Sequence, residues 1–150
     1  MYVKYHVLLG AIFTFLIWLI WPQVGITGVV LIFLSSFLID VDHYVFYALG
    51  NHDWNLKNAS NWFIDIKRRF EKLPKSKRKK YHTGILPFHS IEFLVPVFSL
   101  GFLLNFFFFI FIGFAFHIFF DMIYEIFISK IAVNKISLIY TLAKKEFIGF

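Results

Sequence analysis

The stretch ILPFHSIEFLVPVFSLGFLLNFFFFIFIGFAFHIFFD, residues 85–121, decides the fold. Between Ile85 and Phe120 its only formally charged residue is Glu92. A helix crosses a bilayer in about 20 residues, so this run is too long for one span and predicts two, turning at Asn105. Toward the N-terminus, Val24–Ile39 is apolar and stops at Asp40. Val7–Trp21 is apolar apart from Gly10 and Thr14, and Trp21-Pro22-Gln23 breaks it. The expectation is an all-α integral membrane bundle of four transmembrane helices, at about 5–21, 24–40, 87–104 and 106–128, forming one domain. The first two are short for a full span, which limits tilt. Composition agrees: of 150 residues 59% are hydrophobic, 16% are charged and 23 are Phe, whereas soluble domains carry about 25% charge. A soluble fold this small could not hide so much apolar surface. That excludes an ordinary cytosolic enzyme, a disordered chain and a disulfide-stapled domain. With no Cys, thiolate zinc sites and thiol catalysis are excluded too.

Charge sets the orientation. Ten of the 15 Lys and Arg residues lie between Lys57 and Lys80, and the other five are Lys4, Lys130, Lys135, Lys144 and Lys145. Turns near Pro22 and Asn105 carry none. Positive charge stays inside, so both termini and the 41–86 loop are expected in the cytoplasm of a multi-pass cytoplasmic (inner) membrane protein. The first helix reads as an anchor, since no small-residue cleavage site follows it. Within the loop, Val41–Gly50 continues a helix or lies in the interface, and Asn51–Ser60 is turn-rich. Residues 61–80 form an interfacial helix resting on anionic lipid, at about 1 kcal/mol per cation. The tail 131–150 is expected as an amphipathic surface helix. Membrane lipids are the expected partners, and nucleic acid is not.

Ionisable side chains inside apolar segments are costly and are usually paired or functional. Asp40, Asp42 and His43 sit where helix two meets the cytoplasm. His82 and His89 bracket the start of helix three, His117 and Asp121 lie inside helix four, and His6 begins helix one. Folding the hairpins brings every one of them to the same cytoplasmic-leaflet layer. His117 and Asp121 are i, i+4 and share a face. Asp40 and His43 share one as well. Asp42 lies roughly 200° from Asp40 on an ideal helix, so the helix must end or unwind near Asp40 for both to serve one centre.

Imidazoles and carboxylates gathered in a dry place suit a divalent cation: Zn²⁺ first, with Mn²⁺ or Fe as alternatives. The candidate metal ligands are His6, Asp40, Asp42, His43, His82, His89, His117 and Asp121. Eight exceed one tetrahedral site, so either two ions bind or some residues orient the others. Asp42 or Glu92 is the candidate general base. Glu92 and Glu125 are also candidate supporting partners. His52-Asp53 reads as loop.

At these residues the chain resembles the YdjM-type family of inner-membrane-associated, LexA-binding, metal-dependent hydrolases. That family carries an early His, an Asp-x-Asp-His closing a second hydrophobic segment, a His-Arg-Gly…His-Ser element and a later His-x-x-x-Asp. The matching residues are His6, Asp40-Val-Asp42-His43, His82-Thr-Gly84…His89-Ser90 and His117-Ile-Phe-Phe-Asp121. Thr83 replaces the Arg, and the gap from His82 to His89 is wider than in the family, which weakens the role of His82. The resemblance implies a membrane-bound hydrolase, and nothing in these residues carries over the LexA contact.

The expected activity is hydrolysis of a phosphoester or ester, with a lipid as one candidate, through a metal-activated water at the cytoplasmic leaflet. The alternative is a non-enzymatic membrane protein with a structural metal site or polar network, or an ion- or proton-conducting subunit. The nearly all-apolar outer halves of the helices disfavour conduction by a single chain.

Overall fold

A computed structural model of the chain describes residues 3–78, 80–82, 84–128, 137–144 and 146–147. Its helices are α1 (Val3–Ile20), α2 (Gly25–Leu38), α3 (Val41–Asn51), α4 (Leu56–Lys72), α5 (Lys75–Arg78), α6 (Ile91–Gly101), α7 (Phe106–Ile123) and α8 (Leu138–Lys144). Among the described residues the one departure from an all-α fold is a two-residue parallel pairing of β1 (Tyr81–His82) with β2 (Glu146–Phe147).

Among the described residues two segments are long and apolar enough to cross a membrane: α1, and α7 with its extension to Phe127. The 3₁₀ turn Pro22–Val24 with α2, followed by α3, makes a third if that pair is one span, although it bends by 41°. The helix expected over 87–104 is only the 11-residue α6. Pro87–His89 forms a separate 3₁₀ turn before it. Helix 106–128 is α7 continued by a π-helical turn at Tyr124–Ile128.

The loop is more ordered than its polar composition suggests. Helix α4 begins at Leu56, inside the expected turn, because the Asn55 side chain accepts from the backbone N–H groups of Lys57 (2.9 Å) and Asn58 (3.2 Å). Such a cap satisfies N–H donors that a helix start leaves without partners. Pro74 ends the helix early, since it restricts Leu73 to extended backbone. Arg69 and Lys72 in the last turn suit the dipole there. The expected tail helix falls partly outside the described residues, as do Lys79, Thr83, Lys130, Lys135 and Lys145.

Packing follows an inside-out pattern. The buried residues of α1 are His6, Gly10 and Thr14. Those of α2 are Gly28, Ile32, Ser35 and Ser36, and those of α7 are Gly113, His117 and Asp121. Spacings of three and four put each set on one helical face. Meanwhile Leu8, Ile12, Phe15 and Leu19 point outward. Lipid gives apolar side chains no reason to turn inward, so small residues take the helix contacts and let backbones approach. Helix α2 is central, touching both α1 and α7. A Cβ on Gly10 would collide with the Ser36 hydroxyl, and one on Gly113 would lie 2.5 Å from the Ile32 carbonyl oxygen. These close crossings bring His6 and His117 to the same level.

Candidate metal centre

Local backbone breaks aim the side chains. Helix α2 stops at Leu38, Ile39 and Asp40 form a turn, and α3 starts at Val41. The unwound step lets Asp40 and Asp42 approach His89 on different ring nitrogens. Asp42 Oδ2 lies 3.0 Å from His89 Nδ1, and Asp40 Oδ1 lies 3.4 Å from His89 Nε2. Pro87 opens the 3₁₀ turn that carries His89, and the Ser90 hydroxyl donates to the Pro87 carbonyl at 2.7 Å. His117 and Asp121 come from α7, one turn apart, and His6 from α1.

The donor atoms converge on a point. His89 Nε2 and His117 Nε2 face each other at 3.2 Å. Asp40 Oδ1 is 3.4 Å from the first and 3.5 Å from the second. Asp121 Oδ2 is 4.0 Å and 3.8 Å from the same two atoms. Four ligands about 2.05 Å from a tetrahedral zinc are separated by about 3.3 Å. The separations among His89, His117 and Asp40, 3.2–3.5 Å, lie close to that value, and Asp121 stands a little farther out. His43 Nε2 lies 3.7 Å from Asp40 Oδ1 and belongs to a donor triad with Asp40 and His89. His6, His89 and His117 are 1%, 3% and 0% exposed.

Hydrogen bonding makes a cation at that point more than a geometric option. The Nδ1–H of His117 donates to the Ser36 carbonyl at 2.8 Å, since a carbonyl can only accept. Likewise the Nδ1–H of His89 donates to the Asp42 carboxylate. When both rings are neutral, both Nε2 atoms carry lone pairs, and these are the atoms 3.2 Å apart. Two facing lone pairs repel unless a cation lies between them. Asp40 Oδ2 and Asp42 Oδ1 are also buried without a hydrogen-bond partner among the described residues. A buried charged oxygen left so is expensive. The donor set, mixed imidazole and carboxylate, fits a divalent ion.

No protein-family model, curated protein or solved structure matches this chain.

Six of the eight expected ligands, His6, Asp40, His43, His89, His117 and Asp121, therefore meet in one cluster. His6 Nε2 lies 3.2 Å from Asp121 Oδ1, and its ring stacks on His117 with centroids 3.7 Å apart. In this position His6 can hold Asp121 or join Asp40 and His117 around an ion. Asp42 belongs to none of the donor triads among the described residues. It stands behind His89, accepting from the His89 ring and from the Phe88 backbone N–H at 3.2 Å. Among the described residues its place is thus behind a ligand candidate rather than in a donor triad. His82 also lies outside the triads. Its Nδ1 is 3.2 Å from the Gly84 carbonyl oxygen. Glu92, the other expected base, is turned away to the start of α8. It accepts from the Ser137 hydroxyl (2.6 Å) and the backbone N–H groups of Leu138 (3.1 Å) and Ile139 (3.2 Å).

The Ser36 carbonyl and Phe88 N–H are partners that residue type could not reveal, since both are backbone groups. The small-residue spacing of Gly10, Ser36 and Gly113 was the available signal for close helix approach. Asp53 is structural, as expected. It accepts from the Tyr47 hydroxyl at 2.5 Å, the Asn58 side chain at 2.8 Å and the Asn55 backbone at 2.9 Å. The Tyr47 bond foremost, then Asn58 and Asn55, holds its carboxyl below the usual range.

Proposed function

We propose that this chain is a multi-pass membrane protein that hydrolyses a phosphoester or ester with a divalent metal held by His89, His117 and Asp40, with Asp121 slightly farther out and a fourth position open to water, zinc being the best fit. The single observation carrying this reading is the convergence of those four donor atoms, with both imidazole Nε2 lone pairs turned inward by Asp42 and the Ser36 carbonyl. When bound, such an ion supplies Lewis acidity and lowers the pKa of water toward 7. Asp42 keeps the His89 ring in the ligating tautomer, as carboxylates behind metal-binding histidines commonly do. His6 steadies Asp121. Among the cluster members His43 is the more exposed, its side chain 24% accessible, and it borders a cavity. It is the residue placed to exchange a proton with a substrate.

The basic loop residues favour an orientation with both termini and the cluster on the cytoplasmic side, as a four-span bundle in which α6 serves as a short span. The resemblance to the YdjM-type hydrolases, through His6, Asp40-Val-Asp42-His43, His89-Ser90 and His117…Asp121, supports the same reading. A second reading is a non-enzymatic polar network, favoured by one observation: a proton shared between His89 Nε2 and His117 Nε2 would also relieve their repulsion. Turnover separates the two. Zinc-loaded protein is assayed on a panel of phospholipids and soluble phosphoesters, with chelator and with Asp121→Asn. Hydrolysis lost in both arms supports the enzyme, and bound metal without turnover on any substrate refutes it.

A further inference from the structure

A single ion on His89, His117 and Asp40 leaves two imidazoles of the cluster over, His6 and His43, and the two are not alike. His6 Nε2 lies 3.2 Å from Asp121 Oδ1, a distance at which a ring N–H donates to a carboxylate. His43 Nε2 lies 3.7 Å from Asp40 Oδ1. That is too long for a hydrogen bond, yet it suits two ligands on one ion, whose bonds are about 2.0–2.2 Å each. The His43 ring stands edge-on to that of His89, with centroids 5.2 Å apart, and to that of Phe63 in α4, at 4.8 Å. These ring contacts hold its orientation. Asp40 and His43 also line a cavity of about 490 Å³, and among the members of the donor triads they are the ones that do so.

Asp40 has an oxygen to spare. Its Oδ1 lies 3.4, 3.5 and 3.7 Å from the Nε2 atoms of His89, His117 and His43, while Oδ2 is buried without a hydrogen-bond partner among the described residues. Both oxygens of a carboxylate carry lone pairs, and a buried one without a donor is costly. The donor triads His6–Asp40–His117 and Asp40–His43–His89 share Asp40 and no imidazole. The donors can therefore be divided between two ions with Asp40 in common. Charge favours the second ion. Asp40, Asp42 and Asp121 have side chains no more than 12% exposed, and beside neutral imidazoles they gather three negative charges. One divalent ion leaves one of these uncompensated, and buried charge is tolerated only when paired. We propose that the cluster is a two-ion centre, in which a second divalent ion on the cavity side is held by His43 and bridged to the first through Asp40. This rests on the metal reading above and deepens it, since paired ions about 3.5–4 Å apart clamp the attacking and leaving oxygens of a phosphoester. With fewer protein ligands and a face open to the cavity, the second ion is held more weakly than the first. When it is bound, it occupies the His43 lone pair that takes a proton in the one-ion state.

The test is titration of full-length, detergent-purified, metal-stripped protein with Mn²⁺, followed by equilibrium dialysis and EPR spectroscopy, with the ion count repeated for Zn²⁺. Wild type is expected to take two ions per chain, the second several-fold more weakly. The second Mn²⁺ should replace the isolated-ion spectrum with that of an exchange-coupled pair. His43→Ala should keep the first ion and lose both the second and the coupled signal. His6→Ala should retain the coupled pair, because His6 acts on Asp121. Uptake that stops at one ion in folded wild type, or a second ion without coupling, overturns the two-ion centre and leaves the metal reading standing. A coupled pair that survives His43→Ala, or one lost in His6→Ala but not in His43→Ala, overturns the assignment of His43. Folded wild type that takes up neither metal refutes the metal reading and this proposal together.

Discussion

Asp42→Asn removes a charge while keeping a shape. Asp42 Oδ2 accepts from His89 Nδ1 at 3.0 Å and from the Phe88 N–H at 3.2 Å. An amide oxygen can take the same place, but charge-assisted bonds are roughly twice as strong as neutral ones. The other oxygen, Oδ1, is buried without a partner among the described residues, and an NH₂ there would strand buried donors at about 1–3 kcal/mol. The His89 ring would then be held less firmly and would be a weaker base. Losing a carboxylate behind a ligating histidine typically costs about 10–100-fold in metal affinity, which is about 1.4–2.7 kcal/mol. Competitive zinc titration against a chelator, on wild type, Asp42→Asn and His117→Ala, measures this directly. The expected order is tight binding, intermediate binding and no retention. If Asp42→Asn abolishes binding as fully as His117→Ala, Asp42 is a ligand and the assigned geometry is wrong. If it changes nothing, Asp42 does not orient His89.

Gly113→Leu should destabilise the bundle by more than the about 1–3 kcal/mol of ordinary overpacking, because a Cβ there would lie 2.5 Å from the Ile32 carbonyl oxygen and 2.9 Å from Ser36 N. Thermal unfolding in detergent reads this, with Gly50→Ala as the unaffected control, since a Cβ at Gly50 meets nothing within 4 Å. Zinc affinity should fall with falling pH, because protons compete with the metal for the imidazoles. Calorimetric titration across pH 5.5–7.5 would show a flat profile if no histidine ligates. Asp53 stabilises the α3–α4 turn with a lowered carboxyl pKa. Its contribution is present above the unfolded value of about 3.9 and is lost as pH falls through the folded value. Amide exchange at Asn55 should therefore speed up below that pH in wild type but not in Asp53→Asn.

Hydropathy fixes depth and i, i+4 spacing fixes a face, so the meeting of His6, Asp40, His89, His117 and Asp121 is legible before any coordinates. The break between α2 and α3 is legible for a related reason: two carboxylates two residues apart cannot serve one centre from a continuous helix. Other features depend on where the chain bends. His82 and His89 both begin the third apolar segment, yet His82 lies against the Gly84 carbonyl while the turn at Pro87 sends His89 inward. Glu92 lies three residues after His89, but the start of α8, distant in sequence, claims its carboxylate. Asp42 has the residue type of a ligand, and only its angle about α3 sets it behind His89. The early start of α4 rests on a single Asn55 cap within a stretch whose composition reads as loop.

The most direct measurement is the metal-to-protein ratio of the purified, folded chain by elemental analysis, with His117→Ala beside it. Donor atoms gathered about His89 Nε2 and His117 Nε2 predict about one tightly held divalent ion per chain, absent from the variant. Wild-type protein that is folded, retains no divalent ion and takes up none on addition of zinc would contradict the assignment. His89 and His117 would then share a proton rather than a metal.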